Sequence, residues 1–307
     1  MSQTERTCFI VSDGRRGIEN QALGLAEALS DLTPLRLMPV HVPRTGPIPD
    51  PGPIAPEVWI GCGRAAVRAS EVHRRAFPDC TMVYIQHPRE NMARFDLVIP
   101  PRHDRLDGPN VFSILGSANR ITPSRLAEGA APFASRMAGF GTPRAAVLIG
   151  GDSRHHRFDE AVNTYLIERL AFLRACDVAL LITVSRRTPD ALKDALRERF
   201  SHDEGVWLHE DGAPNPYFAF LDGADWIFVT EDSTNMLTEA AATGKPVFRL
   251  PVAGDPGKFR RLYAELEAYG AVRPFLGRLD RWRYRPLRET GRAAQRVLEI
   301  LDAKSHS

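Results

Sequence analysis

At 307 residues the chain is long for one hydrophobic core and suits two domains. Its 43% hydrophobic and 25% charged residues are those of a soluble globular protein. A net charge of only +2 provides no global field for nucleic acid, so no nucleic-acid partner is expected.

In chain order, residues 8–12 read as a first strand ending at Asp13-Gly14. Residues 17–30 read as a helix, with Ala22, Leu25, Ala26 and Leu29 along one face. A second strand, 35–40, leads into 43–56, where six prolines mark a surface loop. Strands follow at 58–62, 81–86, 96–99 and 111–115, with a helix at 64–77. Residues 117–143 break this rhythm with one helix near 123–138 and a Gly139, Gly141, Pro143 linker. The rhythm restarts with strands at 145–150, 178–185 and 206–209 and helices at 157–175, 189–200 and 216–222. After 225–252 come a helix at 258–269, an Arg-rich loop at 277–288 and a last helix at 290–303. Alternating strands and helices predict an α/β protein with parallel sheets covered on both faces. The expected domains are 1–138 and 139–288, two Rossmann-like units facing across a cleft, with 289–307 packing back on the first.

The stretch 225–252, DWIFVTEDSTNMLTEAAATGKPVFRLPV, organises the second half. Trp226 to Val229 is a short apolar run, as a buried parallel strand requires. Polar residues then break it, and Met236, Leu237, Ala240 and Ala241 form a helical stripe that Gly244 ends. A helix N-terminus at a strand's carboxyl end offers free N–H groups and a positive dipole end to a phosphate. Asp232, Ser233 and Thr234 stand at that N-terminus. Glu239 lies just over one turn into the helix and leans back toward its start, where a carboxylate can accept hydrogen bonds from a ribose diol.

Two other strand ends carry matching chemistry. Gly150-Gly151-Asp152-Ser153-Arg154 combines glycines that admit a close backbone approach with a guanidinium, which makes Gly151, Ser153 and Arg154 candidates. Ser185-Arg186-Arg187-Thr188-Pro189 closes a strand and opens a helix, and its Ser185, Arg186 and Arg187 suit a diphosphate. Gly61-x-Gly63-x-x-Ala66 fits a dinucleotide fingerprint only weakly, because it follows the third strand and Asp79 precedes a strand. His155 and His156 are adjacent and would diverge on a helix, so no metal pair is expected. Cys8, Cys62, Cys80 and Cys176 lack C-x-x-C spacing and read as buried reduced thiols of a cytosolic protein. The opening MSQTERTCFIVSDG has no signal-peptide core, and no apolar run approaches a membrane span.

A set of motifs resembles the mitochondrial-fission ELM family, which has many bacterial members. The set includes Ser12-Asp13-Gly14, Glu19-Asn20-Gln21, Gln86-His87-Pro88-Arg89 and Pro101-Arg102-His103-Asp104. It continues with Ser185 to Pro189, Asn215-Pro216, Asp232-Ser233, Glu239-Ala240, Thr243 to Val247 and Trp282-x-Tyr284-x-Pro286-Leu287. The chain departs from the pattern at Asn235 and Tyr263. The family is similar to GT-B glycosyltransferases, and the resemblance implies a nucleotide-sugar donor held by the C-terminal domain, with Glu239 on the ribose and Ser233 and Thr234 on the diphosphate. It implies no bound metal or cofactor. It also implies a catalytic base after the first strand, with Asp13 the first choice, Glu19 the second and His87 the third. The many Arg, Ala and Pro residues read as bacterial. The expected activity is transfer of a sugar to an envelope glycan or glycolipid at the cytoplasmic face of the membrane. The alternatives are a non-catalytic scaffold that recruits a partner protein, as the plant founder does, and a nucleotide-sugar epimerase. Seven arginines between 278 and 296, interleaved with Trp282 and Tyr284, suggest peripheral contact with anionic headgroups.

Overall fold

The structure is a computed structural model that describes residues 5–89, 92–209 and 212–305. It divides into two compact units, one of residues 1–120 with 288–307, the other of residues 121–287.

The first unit opens with β1 (Arg6–Ser12), α1 (Arg16–Ser30), β2 (Leu35–His41), β3 (Val58–Cys62), α2 (Gly63–Ala76), β4 (Thr81–Ile85) and β5 (Leu97–Ile99). Its sheet has the order β2-β1-β3-β4-β5, with every pairing parallel. Every residue of β3 and β4 is buried, as strands covered on both faces must be. The Leu25 and Leu29 side chains of α1 are fully buried on one face of the sheet, each contributing about 1.5–3 kcal/mol. On the other face Trp59, Phe77, Tyr84 and Phe95 pack under α2. Gly61 is required there, because a Cβ would lie 2.1 Å from the Trp59 ring, and Gly63 is left-handed at φ 84°. The glycines of that motif therefore serve packing and a tight turn.

The strand expected at 111–115 does not form as a ladder. It makes only two isolated parallel bridges, Val98 to Val111 and Pro101 to Ile114. Pro100 and Pro101 have no N–H to continue the pairing.

The second unit begins with α3 (Pro123–Ala130) and α4 (Ala134–Ala138), expected with the first sheet but grouped with the second. The reason is packing: Gly129 lies against Phe218, Phe133 against Trp207 at 5.9 Å, and the Arg136 guanidinium over the Trp207 ring at 3.8 Å. Then come β6 (Arg144–Ile149), β7 (His156–Arg157), α5 (Glu160–Ala175), β8 (Ala179–Val184), α6 (Asp190–Phe200), β9 (Val206–His209) and α7 (Tyr217–Gly223). They are followed by β10 (Trp226–Thr230), α8 (Thr234–Thr243), β11 (Val247–Leu250), β12 (Ala253–Gly254), α9 (Phe259–Ala268) and β13 (Val272–Pro274). The six-stranded order is β13-β11-β10-β6-β8-β9, again all parallel, while β7 and β12 make a separate antiparallel pair. An aromatic cluster of Phe228, Phe248, Phe275 and Trp282, with ring centroids 5.0–5.2 Å apart, fills the core between β10, β11 and the chain after β13.

The chain then ends in α10 (Glu289–Ser305), which packs on α1 in the first unit. Its Glu289 accepts the Leu115 N–H at 2.8 Å, and the Thr290 hydroxyl accepts the Asn119 N–H at 3.0 Å. Burial pushes the Cys8, Cys62 and Cys80 thiols up and leaves them inert, whereas Cys176, expected to be buried, is exposed just past the end of α5. Among the described residues no helix is long and apolar enough to cross a membrane.

Candidate functional site

The parallel order places the carboxyl ends of β8, β6 and β10 side by side. After β10 the chain turns through Glu231, Asp232 and Ser233 into α8, which starts at Thr234, two residues before the apolar stripe. Ser233 is the N-cap, and its hydroxyl accepts the Met236 N–H at 3.4 Å. Gly244 closes the helix at φ 83°, where Pro286 packs so tightly that a Cβ would lie 2.8 Å away.

Asp232 knits the three strand ends together. Its side chain is 0% exposed and accepts the Gly151 N–H at 2.9 Å, the Thr230 hydroxyl at 2.7 Å and Arg187 at 3.2 Å. Burial pushes its carboxyl up, against these three donors. The Arg187 guanidinium also donates to the carbonyls of Gly151 at 2.8 Å and Asp152 at 2.7 Å. Thr230 accepts the Gly150 N–H at 2.8 Å, and Thr188 donates to the Gly150 carbonyl.

This bracing alters the roles expected from sequence. A Cβ on Gly150 would lie 2.1 Å from an Asp232 oxygen, and one on Gly151 would lie 2.1 Å from the Arg187 backbone. The glycine pair therefore admits neighbouring loops, and Gly151, Asp232 and Arg187 hold the edge together. Ser153 accepts the His155 and His156 N–H groups at 3.2 and 3.1 Å, and Ser185 accepts the Arg187 N–H at 3.1 Å, so both hydroxyls order their own loops. Arg154 and Arg186 are exposed and have no ionic or hydrogen-bond partner among the described residues. The Thr234 side chain at the start of α8 likewise has none.

Glu239 is half-buried and accepts the Tyr217 O–H at 2.5 Å. Desolvation pushes its carboxyl up to about 7, with the Tyr217 hydrogen bond acting the other way. It therefore exchanges a proton near neutrality. Tyr217 was missed by sequence reasoning; the signal was Asn215-Pro216 beside it, since the Asn215 side chain accepts the Tyr217 N–H at 3.1 Å and sets the start of α7. Tyr263 and His156 were missed as well. The Tyr263 hydroxyl donates to the Glu231 carbonyl at 2.6 Å and lies 3.4 Å from Nε2 of the buried His156. The Arg-rich segment alternates: Trp282 donates to the Gly270 carbonyl and Tyr284 to the Lys245 carbonyl, both at 2.8 Å, while Arg281, Arg283 and Arg285 are exposed.

The three catalytic candidates all lie at the carboxyl edge of the first sheet, in different surroundings. The Asp13 side chain is 3% exposed and faces Arg15 at 2.8 Å and Arg44 at 3.8 Å. His87 lies between Gln86 and Arg89, both with left-handed φ of 88° and 62°, and its Nδ1 accepts the Arg89 N–H at 3.0 Å. Glu19, in the first turn of α1, meets His41 Nε2 at 2.5 Å.

A family profile described as Mitochondrial fission ELM1 matches residues 16–301. The mitochondrial fission protein ELM1 of Arabidopsis thaliana is 29% identical over 82% of this chain, which spans 65% of that relative's length. An uncharacterized protein of Rickettsia prowazekii is 23% identical over 95% of this chain and 97% of its own. Among solved structures, the UDP-GlcNAc 2-epimerase of Methanocaldococcus jannaschii is similar at TM-score 0.62 and 12% identity, covering 98% of this chain and 100% of that one. The same epimerase in complex with UDP-GlcNAc and UDP is similar at 0.57. MurG of Acinetobacter baumannii is similar at 0.51 and 12% identity, covering 99% and 100%. These likenesses identify the fold as GT-B.

Proposed function

We propose that this chain, which belongs to the mitochondrial fission ELM1 family and has the GT-B fold, transfers a sugar from a nucleotide-sugar to a hydroxyl of an envelope glycan or glycolipid. The observation that carries the reading is the braced carboxyl edge of the second sheet. There the N-terminus of α8, the Thr234 side chain and Arg154 and Arg186, unpartnered among the described residues, would supply donors for a diphosphate. Glu239, already accepting one hydroxyl from Tyr217, is suited to accept those of a ribose. The braces relieve binding of much ordering entropy, because the loops are fixed before a ligand arrives. The exposed Arg281, Arg283 and Arg285 would hold the protein against anionic headgroups, with Trp282 and Tyr284 serving packing.

A thermal-shift screen against UDP-, GDP-, CMP- and dTDP-sugars tests the reading, with UDP-GlcNAc first because a solved relative in fold is described with it. A sugar at a hundred times its Kd should stabilise the fold by about 2.7 kcal/mol. If no nucleotide shifts the melt, the chain is better read as a scaffold that recruits a partner protein. The name of the 29%-identical plant relative favours that second reading.

A further inference from the structure

We infer that the carboxyl edge of the first sheet binds a linear polyanion, a ligand that carries phosphate groups in series. The site lies on the first unit alone and does not depend on sugar transfer. Every pairing in that sheet is parallel, so all five strands end on one edge, in the order β2-β1-β3-β4-β5. Each strand is followed within four residues by arginine: Arg44 after β2, Arg15 and Arg16 after β1, Arg64 after β3, Arg89 after β4 and Arg102 after β5. All six are exposed. Adjacent strands lie about 4.8 Å apart, so the arginines are rooted along a line of roughly 19 Å.

Composition does not account for this row, although arginine is common in the chain. The four residues before each strand carry the opposite sign: Glu5, Asp31, Glu57, Asp79 and Asp96, against one base, Arg94. The segments after the strands hold one acid, Asp13. Its buried carboxylate meets Arg15 at 2.8 Å and Arg44 at 3.8 Å through the same oxygen, which gathers two guanidinium groups while cancelling one charge. The next acids, Glu19 and Asp104, lie beside His41 at 2.5 Å and His103 at 3.8 Å, and Arg102 stands 3.7 Å from Glu289. The side chains of Arg16, Arg64 and Arg89 have no ionic or hydrogen-bond partner among the described residues.

Like charges held side by side repel one another, and a chain of phosphates offsets that repulsion. Each guanidinium matches a phosphate through parallel N–H donors. The same five segments hold no Phe, Tyr or Trp, and their largest aliphatic residue, Val42, is buried. They offer no platform for stacked bases and no apolar wedge for a bilayer, so charge is what this edge presents to a ligand.

The test is calorimetry on the full chain at low salt with pyrophosphate, tripolyphosphate and long-chain polyphosphate. Affinity should rise with chain length and fall as salt is added, because exposed charges are screened. The triple variant Arg16→Gln, Arg64→Gln, Arg89→Gln should bind the long chain about tenfold more weakly, with the melt unchanged. The double variant Arg154→Gln, Arg186→Gln, at the second sheet, should bind it as the parent does. Should the triple variant melt early, Arg64→Gln alone decides, with an expected loss of about threefold. No binding of polyphosphate, no gain with chain length, or an unchanged arginine variant overturns the inference, as does loss of binding in the second-sheet variant instead. A single-stranded oligonucleotide or phosphatidylglycerol vesicles that bind more tightly than polyphosphate through the same three arginines overturn it as well, in favour of a nucleic acid or a membrane. The probe carries neither base nor sugar, so the transferase reading stands or falls separately, on the nucleotide screen.

Discussion

The carboxyl edges of the two sheets are built from similar residues and held in opposite ways. In the second unit the buried Asp232 and Thr230 tie backbone groups together, and Arg187, 49% exposed, braces two neighbouring carbonyls. In the first unit the partners are exposed side chains: Arg15 is 48% exposed, Arg44 66% and His41 62%, around an Asp13 that is itself only 3% exposed. Buried networks are costly to break because each orphaned donor loses its partner away from water. Exposed pairs contribute little to stability and keep their freedom to respond to a ligand. One edge is therefore tied together through buried groups, and the other through partners at the surface.

The sharpest break of this contrast is Asp232→Ala. It removes the acceptor of three donors and should destabilise the fold by about 2–4 kcal/mol. Urea denaturation measures this, and Asp13→Ala, which removes a buried carboxylate held by the exposed Arg15 and Arg44, should cost less by the same assay. Equal losses would abolish the distinction between the two edges.

Glu239 gives the next effect, and its sign is unusual. Its carboxyl titrates at about 7 in the folded chain, against 4.5 for the free group, so the folded state binds more protons across that window. Stability of the unliganded protein should therefore fall as pH rises from 4.5 through 7, by at most about 1.4 kcal/mol per pH unit. Glu239→Gln should flatten this slope and stabilise the unliganded protein at pH 8, while weakening nucleotide binding by about 1.5–3 kcal/mol. Melts at several pH values together with calorimetry test both halves. A variant less stable than the parent at pH 8 would show that the carboxylate supports the fold.

The arginine pair separates by role. Arg186→Ala should weaken nucleoside diphosphate binding roughly tenfold, about 1.4 kcal/mol, without changing the melt or the affinity for the nucleoside. Arg187→Ala should lower the melt as well, because it releases two carbonyls and Asp232. Identical behaviour of the two variants would mean that the brace is not formed in solution. The smallest effect is expected at the far loop: the triple change of Arg281, Arg283 and Arg285 to Gln should reduce a weak, salt-sensitive binding to anionic vesicles, read by cosedimentation. Binding equal to the parent would place the acidic-surface contact elsewhere.

Period and punctuation in the sequence were enough for the α/β class, the parallel strands and the location of a polar edge. Trp226 to Val229 is uniformly apolar because both faces are covered, and Gly244 marks a left-handed helix end. Family motifs were legible too, since they are strings of neighbouring residues. What tertiary structure alone decided is which side chains at the edge face solvent and which face each other. Gly150 and Gly151 look like ligand-approach glycines in one dimension, but Asp232, 81 residues on from Gly151, fills the space. Arg186 and Arg187 are neighbours in sequence, yet only one reaches the Gly151 and Asp152 carbonyls beyond β6. His41 carried no motif, and only the parallel pairing of β1 with β2, which puts Ser12 beside His41, brings it within reach of Glu19. Local sequence encodes backbone shape through sterics and burial, whereas hydrogen-bond partners far apart in the chain are chosen only when the strands pair.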